Sequence, residues 1–346
     1  MSADPASVGP GRIMELATAY WEARCLHAAN GLGVFAALAD GPLSAEALAA
    51  RLGAAPRPLA LLLRACVGLG LLERAGDRFR NAPASQRFLV PGSDGYLGDA
   101  LRYAADMWEP WGRLDDGVVT GRPPLAAAAY TGGDPARTRN FVYGMHRRAL
   151  GVGRALVSLV DLAGRRRLLD VGGGPGTYAA LFTAAVPGLR ATVLDLPEVV
   201  ALADEILGAM GARGRVATLP GDYHATPFPA GNDVVLISGV FHREAEATCR
   251  ALVARARDAL VPGGLLVVSD VFTDAGGCTP AFAALFGLNM MLSAPDGGVH
   301  ADADVAAWMA DAGFTAVERR PFPPPMPHRV VVGTRGPGAT AARSSA

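Results

Sequence analysis

The chain has few cysteines and no long apolar run, and each of these shortages excludes a class of protein. No two of its cysteines have the close spacing of a zinc site or a redox motif. They are Cys25, Cys66, Cys249 and Cys278. Such scattered thiols favour a reduced, cytoplasmic protein. No apolar run approaches the roughly 20 residues of a membrane-spanning helix, so we expect no membrane partner.

Neither sign of charge is in excess, because Lys plus Arg and Asp plus Glu number 32 each in 346 residues. A balanced chain has no overall field that attracts a polyanion, so we expect no nucleic-acid partner. Charged residues make up 18% and hydrophobic residues 51% of the chain, which suits a well-buried globular protein. The length leaves room for two domains of ordinary size.

The first part of the chain, residues 13–90, is predicted to be helical and to end in a hairpin. The helical segments contain GLGVFAAL, LSAEALAARLG and PLALLLRACVGLGLLE, and a turn is expected near Gly76 and Asp77. This order is the winged-helix plan. Winged helices often bind DNA, but the helices here carry few basic residues and have apolar outward faces, which favours a subunit interface. We therefore predict a dimerisation domain.

The middle of the chain, residues 91–165, is predicted to be a helical linker. Aromatic and methionine side chains recur along it, which indicates either ordinary helix core or a lid that walls a substrate pocket. In residues 166–335, short Val- and Leu-rich runs alternate with Ala-rich helical segments, as in buried parallel sheets. The predicted fold class is α/β, a doubly wound Rossmann-like sheet preceded by the winged-helix domain. AVERRPF and RVVVGTR should form a closing antiparallel pair.

A glycine-rich loop follows the first predicted strand of the sheet, directly after Asp170. Gly172, Gly174 and Gly176 let the backbone turn tightly and approach a ligand closely. Thr177 stands where a dinucleotide-binding motif would have its last glycine, and no phosphate-binding lysine follows. Alone, such a loop can also be a purely structural turn.

The next two strand ends carry side chains that suit a nucleoside. Asp195, nineteen residues after Gly176, can accept hydrogen bonds from both ribose hydroxyls. After Gly221, Asp222 can accept from the amine of adenine while Tyr223 packs on its ring. A single loop aspartate is more often a helix cap. Three such contacts at successive strand ends predict an adenosyl ligand without a polyphosphate.

With these motifs the chain resembles the class I O-methyltransferases of the caffeate and acetylserotonin type, in a bacterial form. The resemblance covers residues 169–335 and, through a winged-helix dimerisation domain, residues 13–90. It implies S-adenosylmethionine as cofactor, a small-molecule acceptor, and a homodimer in which the partner's N-terminal segment closes the substrate cavity. The cofactor-binding residues it implies are Asp170, Gly172, Gly174, Asp195, Leu196, Gly221, Asp222, Tyr223 and Ser238.

The resemblance places the family's catalytic histidine at His242. Methyl transfer is an in-line displacement with an excellent leaving group, so the enzyme must align the acceptor and remove its proton, and histidine titrates near neutral pH. The predicted function is O-methylation of a small, aromatic or polyketide-like secondary metabolite with His242 as general base. Asp270, at the end of the fifth strand, could orient His242, and His300 stands where the family has a second acid.

The chain also departs from the family pattern, which leaves alternatives open. The family has His-Asp-Trp where this chain has His242, Arg243 and Glu244. His242, Glu244 and His300 would form a two-histidine, one-carboxylate set for zinc or ferrous iron, with His328 as a further candidate ligand. Such a metal could stabilise a 2-oxo acid enolate for methylation on carbon. Alternatively, Glu244 only caps a helix and His300 only lines the pocket.

Two further functions stay open at this point. A winged-helix DNA-binding regulator could use the second domain to sense the adenosyl ligand. A degenerate homologue could bind the cofactor for a reaction other than methyl transfer.

Overall fold

The computed structural model describes residues 8–93, 95–126, 129 and 132–337. Contacts divide the chain into two compact units, Met1–Asp106 and Met107–Ala346. This division is coarser than the three predicted segments, whose boundaries stay predictions. In the described ranges, no helix is long and apolar enough to cross a membrane.

The first unit combines helices with a small antiparallel sheet of order β1-β3-β2. Its strands are β1 (Leu43–Ser44), β2 (Leu72–Ala75) and β3 (Arg78–Asn81). Its helices are α1 (Pro10–Thr18), α2 (Tyr20–Gly31), α3 (Val34–Ala37), α4 (Ala45–Leu52), α5 (Pro56–Gly68), α6 (Pro83–Phe88) and α7 (Gly98–Asp106). The predicted hairpin is formed by β2 and β3. The segment GLGVFAAL forms a shorter helix than its pattern suggests: α3 contains only four residues.

Local chemistry explains where the helices of the first unit begin and what they bury. The Ser44 hydroxyl accepts a hydrogen bond from the Ala47 amide at 3.2 Å, which caps α4. The core of the unit contains Phe35, Leu48 and Leu63, each almost fully buried. In contrast, every residue of α1 is at least partly exposed. This helix therefore presents an uncovered apolar surface within its own unit.

The second unit contains a seven-stranded sheet of order β6-β5-β4-β7-β8-β10-β9. Its strands are β4 (Arg167–Val171), β5 (Arg190–Asp195), β6 (Val216–Pro220), β7 (Asn232–Ser238), β8 (Leu260–Val271), β9 (Phe314–Pro321) and β10 (His328–Arg335). The first five strands of that order are parallel to one another. Strands β9 and β10 form the predicted antiparallel pair at the edge. The predicted fold class is confirmed.

Helices cover both faces of this sheet, because successive side chains of a strand point to opposite sides. The helices of the unit are α8 (Trp108–Trp111), α9 (Leu114–Thr120), α10 (Pro135–Leu159), α11 (Thr177–Ala185), α12 (Pro197–Ala209), α13 (Glu246–Ala259), α14 (Ala281–Met291) and α15 (Asp302–Asp311). Leu169 and Val235 pack with Leu252 of α13 on one face. Leu168 packs with Leu156 of α10 on the other.

The chain crosses the sheet in opposite directions on the two sides of β4, with β5 on one side and β7 on the other. The carboxyl ends of parallel strands at such a switch point form a crevice in which ligands bind. The loops after β4, β5, β6 and β7 therefore meet at one edge of the sheet. The side chains predicted to bind a nucleoside lie on these loops.

Candidate active site

The loop after β4 contains three glycines whose backbone lies in the left-handed region, and two of them, Gly172 and Gly174, are predicted cofactor contacts. Their φ angles are 63° at Gly172 and 54° at Gly174. A Cβ atom added at Gly172 would lie 2.7 Å from Cγ2 of Val240, so this position excludes a side chain. A Cβ atom added at Gly174 would meet nothing within 4 Å. The loop is thus held tightly at its start and faces open space at its tip, as a ligand cradle requires.

Asp195 ties this loop to the start of α12. The amide of Gly174 donates to Oδ2 at 2.7 Å and the amide of Leu196 donates to Oδ1 at 2.7 Å. Burial raises the pKa of Asp195, and these two hydrogen bonds oppose the shift. Because a carboxylate oxygen can accept more than one hydrogen bond, the group can still receive hydroxyl donors.

Asp170, at the end of β4, lies beneath the same loop and is fully buried. Neither of its oxygens has a hydrogen-bond partner of normal geometry among the described residues, although the backbone amide of Ala179 opposes the rise in its pKa. Burial, and secondly the charge of Asp195, raise the pKa of Asp170 to about 7. A buried carboxyl without a donor is costly. The group is therefore suited to a ligand that brings a donor or a positive charge.

After β6, the predicted adenine contacts differ in their surroundings. Asp222 is exposed, and its Oδ1 accepts a hydrogen bond from the His224 amide at 2.8 Å. The hydroxyl of Tyr223 donates to Oε1 of Glu244 at 2.6 Å. Its ring lies beside Gly172, where an added Cβ would be 3.5 Å from Cδ1 of the ring. Burial raises the pKa of Tyr223, and the charge of Glu244 raises it further.

Ser238 is the last residue of β7 and pairs with Ser269 of β8. Its hydroxyl interacts with Tyr178 of α11. Burial raises the pKa of the Tyr178 phenol to about 12, and the hydrogen bond with Ser238 acts in the opposite direction. Ser238 thus links the end of β7 to the helix that follows the glycine-rich loop.

A 3₁₀ turn, Phe241–Arg243, follows β7 and carries His242. Nδ1 of His242 lies 2.6 Å from Oδ1 of Asp270. Since a carboxylate only accepts, Nδ1 carries the proton and Nε2 is left as the basic nitrogen. Among the described residues, Nε2 has no hydrogen-bond partner. The ring meets Phe286 of α14 edge to face, with centroids 4.9 Å apart. The predicted pairing of His242 with Asp270 is present.

His300 occupies a different place from the one expected of a second acid. Its Nε2 lies 3.1 Å from the carbonyl oxygen of Phe241 and 2.9 Å from that of Glu244. Its ring meets Trp308 edge to face at 5.1 Å. The side chain therefore clamps the backbone on both sides of His242. Among the described residues its hydrogen-bond contacts are these carbonyl oxygens and Sγ of Cys249, and none is the imidazole of His242, so it does not replace the missing acid there.

The alternative metal set of His242, Glu244 and His300 is not assembled. Nε2 of His300 donates to the carbonyl oxygens of Phe241 and Glu244 and is therefore protonated, so this nitrogen is not available to a metal. The carboxylate of Glu244 accepts the Tyr223 hydroxyl and lies 3.4 Å from Nε2 of His224. Over the part of the chain that the structure describes, no group of three or more His, Cys, Asp or Glu side chains is placed to hold a metal ion. The metal hypothesis is corrected on these grounds.

His328, proposed as a further ligand, is the first residue of β10 and pairs with Val271. Its ring lies 5.7 Å from that of Phe322. Burial lowers the pKa of His328, and the charge of Asp270 opposes this shift. The residue therefore lies near the His242–Asp270 pair without completing a ligand set.

Sequence reasoning missed three side chains that shape this site. They are Arg255, which holds the loop at Tyr223, Phe286, whose ring contacts that of His242, and Phe282, whose ring stacks on Phe286 with centroids 6.2 Å apart. The phenylalanines are four residues apart on an apolar helix, a spacing that predicts a shared face. The sequence carries no comparable signal for Arg255, because its partners are backbone carbonyls.

Comparison with known proteins gives matches over most of the chain. Residues 111–315 match the family model described as O-methyltransferase domain, and residues 14–91 match the O-methyltransferase dimerisation domain. The chain is 36% identical over 340 residues to 3-hydroxy-5-methyl-1-naphthoate 3-O-methyltransferase of Streptomyces sahachiroi, covering 96% of this chain and 97% of the relative. It is 35% identical over 314 residues to the tetracenomycin polyketide synthesis 8-O-methyl transferase TcmO of Streptomyces glaucescens, covering 89% and 92%.

A solved structure shows the same architecture with a ligand. Human N-acetylserotonin methyltransferase in complex with SAM superimposes with a TM-score of 0.86 at 26% identity. The match covers 96% of this chain and 100% of the human protein.

Proposed function

Because the chain belongs to the S-adenosylmethionine-dependent O-methyltransferase family, we propose that His242 is the general base that removes the proton of the acceptor hydroxyl. Membership makes the chain an enzyme that transfers a methyl group to an oxygen of a small molecule. The predicted family, activity and cofactor are thereby confirmed. The dimerisation domain supports the predicted homodimer.

The observation that carries the proposal is the 2.6 Å contact between Nδ1 of His242 and Oδ1 of Asp270. It fixes the tautomer that leaves Nε2 free to take a proton. The second oxygen, Oδ2, accepts the amide of His242 at 3.3 Å, so the same carboxylate orients both the ring and its backbone. The negative charge stabilises the imidazolium that forms when Nε2 is protonated. Asp270 is thus a positioning residue for the base.

The residues at the strand ends fit S-adenosylmethionine, which when bound supplies a methyl group on a positively charged sulfur. We assign the ribose to Asp195 and Leu196, across the open loop at Gly172 and Gly174. Ser238, at the end of β7, is assigned a polar contact with the cofactor. The adenine is assigned to the residues that follow β6, which are Gly221, Asp222 and Tyr223. We propose that the buried carboxyl of Asp170 accepts hydrogen bonds from this cofactor, because its oxygens have no other partner of normal geometry among the described residues.

The acceptor is proposed to be a flat hydroxylated aromatic compound of polyketide type. The two bacterial relatives are named for a naphthoate and for a tetracenomycin polyketide. The stacked rings of Phe282 and Phe286, with Phe286 against the ring of His242, offer an apolar wall of matching shape. The helical segment at residues 91–165 is proposed as the lid of this pocket.

The balanced charge and the scattered cysteines support a proposal about where the enzyme acts and which classes of partner it lacks. We propose a cytoplasmic enzyme without a nucleic-acid or membrane partner. In α1 and α2, Ile13, Met14 and Trp21 are each more than half exposed, which suits an interface with a second copy. Neither the comparisons nor the donor geometry supports C-methylation through a metal or a DNA-binding regulator.

The test is to incubate the enzyme with S-adenosylmethionine and a panel of naphthols and hydroxyanthraquinones, and to measure S-adenosylhomocysteine together with the position of the new methyl group. We expect an O-methyl ether from wild type. A product methylated only on carbon would contradict the acceptor assignment. Full activity of His242→Asn on an acceptor that the wild type methylates would contradict the assignment of the base.

A further inference from the structure

We infer that Glu244 is a positioning residue that joins the nucleoside end of the site to the turn that carries His242. It does so by holding the ring of Tyr223 against the glycine-rich loop. The inference rests on the proposed function, since it concerns how this site receives its cofactor. It gives a role to an acid that stands where the family pattern has a tryptophan.

The carboxylate of Glu244 is buried and committed to the loop after β6. The residue is 8% exposed. Its Oε1 accepts the hydroxyl of Tyr223 at 2.6 Å and lies 3.4 Å from Nε2 of His224. Burying a carboxylate is costly unless donors compensate for the lost water. A charge-assisted hydrogen bond of this length is among the stronger ones in proteins, so it fixes the direction of the phenol.

Tyr223 is held from a second direction through its main chain. Arg255 of α13 donates to the carbonyl oxygen of Tyr223, to that of His224 at 3.1 Å and to that of Thr226 at 2.5 Å. Its guanidinium also lies over the ring of Phe228, 4.1 Å from the centroid. Arg255 therefore fixes the backbone of the loop, and only the side-chain torsions of Tyr223 are left for Glu244 to set.

At its other end, Glu244 belongs to the segment that carries His242. Its amide donates to the carbonyl oxygen of Phe241 at 3.1 Å, and its own carbonyl oxygen accepts from Nε2 of His300 at 2.9 Å. The carbonyl oxygen of His242 accepts from the amide of Gly298 at 2.9 Å. The backbone around His242 is thus rigid, and the Glu244 side chain extends from it to the ring beside Gly172. Because its backbone is held in place, the side chain of Glu244 can set the position of the Tyr223 ring.

The experiment measures the Kd of S-adenosylhomocysteine by calorimetry and the unfolding midpoint of the ligand-free protein. The variants are Glu244→Gln, Glu244→Leu, Tyr223→Phe and the double variant that combines Glu244→Leu with Tyr223→Phe. We expect Glu244→Leu to weaken binding by about tenfold to a hundredfold, as for the loss of a hydrogen bond to a charged group. Glu244→Gln keeps an acceptor for the phenol and should stay within about threefold of wild type.

Two further comparisons separate this role from a purely structural one. Tyr223→Phe should weaken binding in the wild-type background but add little to Glu244→Leu, because the two side chains act as one unit. The matched control is Glu246→Leu, an exposed acid two residues along that pairs with Arg250. It should leave the Kd unchanged.

The inference is overturned if the wild type binds S-adenosylhomocysteine and both Glu244→Leu and Tyr223→Phe bind it equally well. It is also overturned if the losses of the two variants simply add in the double variant. If Glu244→Leu fails to fold, Tyr223→Phe is the deciding variant. An unchanged Kd for S-adenosylhomocysteine in that variant then overturns the inference. A wild-type protein that binds neither S-adenosylmethionine nor S-adenosylhomocysteine would overturn the proposed function as well.

Discussion

The loop after β4 and the turn after β7 differ in whether their polar groups have hydrogen-bond partners within the chain. In the first, the carboxyl of Asp170 is buried without a partner and Gly174 faces open space. In the second, the groups that hold the base are paired within the chain: His242 with Asp270, and the flanking carbonyl oxygens with His300. The ring nitrogen Nε2 of His242 has no hydrogen-bond partner among the described residues.

The contrast reflects two different tasks. A loop that receives a ligand keeps groups whose hydrogen bonds the ligand completes. A turn that presents a base must hold it within a narrow range of positions, so surrounding groups are used to fix it. The two regions should therefore respond differently when they are changed.

The largest effect is expected for His242→Asn, which removes the basic nitrogen of the fixed turn. Turnover should fall by about two to four powers of ten, as for the loss of a general base. The Kd of S-adenosylhomocysteine should stay within about threefold of wild type, because the loop after β4 is intact. Steady-state kinetics and calorimetry on the same sample check both. A parallel loss of turnover and cofactor binding would contradict the separation of the two regions.

The next effect concerns the tight start of the loop. Gly172→Ala places a methyl group 2.7 Å from Val240, in backbone of φ 63°. Gly211→Ala is the matched control, with φ 64° and nothing within 4 Å of the added atom. Both should lose about 1 to 2 kcal/mol of unfolding free energy from the left-handed backbone. Only Gly172→Ala should also weaken S-adenosylhomocysteine binding, by about tenfold or more, measured by calorimetry. Equal behaviour would show that the close approach to Val240 is unimportant.

A pH dependence should follow from the unpaired carboxyl of Asp170. Its pKa is about 7 when folded, against about 4 in an unfolded chain. The folded state holds the proton more tightly, so this contribution to stability is present below about pH 4 and is lost as the pH rises to about 7. Urea unfolding at pH 5 and pH 8 should show a smaller difference in Asp170→Asn than in wild type.

The same ionisation should change cofactor affinity. An ionised Asp170 attracts a cation, so wild type should bind S-adenosylmethionine more tightly as the pH rises through about 7. Asp170→Asn should show a flatter profile, with Asp195 unchanged in both proteins. Identical profiles would remove Asp170 from the cofactor site.

The last effect concerns stability alone, at the carbonyl oxygens on either side of His242. His300→Ala leaves the carbonyl oxygens of Phe241 and Glu244 without their shared donor, which should cost about 1 to 3 kcal/mol of unfolding free energy. His300→Gln can still donate an N–H and should recover part of this loss. If instead both variants unfold at the wild-type midpoint in urea, the clamp contributes nothing to the turn.

Much of the fold could be predicted because its signals are local. The spacing of Gly172 and Gly174, the acid at Asp195 and the alternation of apolar runs each report a strand end or a buried strand. The roles of Glu244 and His300 could not be predicted in this way. Their residue types suit a metal, but ligation depends on where the side chains point. Glu244 lies in extended backbone, with φ −121° and ψ 144°, and turns to Tyr223.

The most direct test is a crystal structure of the enzyme with S-adenosylhomocysteine. We expect ribose hydroxyls within hydrogen-bond distance of Asp195, the adenine beside Tyr223 and the sulfur on the side of Nε2 of His242. Density for the ligand away from the ends of β4, β5 and β6, or a His242 ring detached from Asp270, would contradict this expectation.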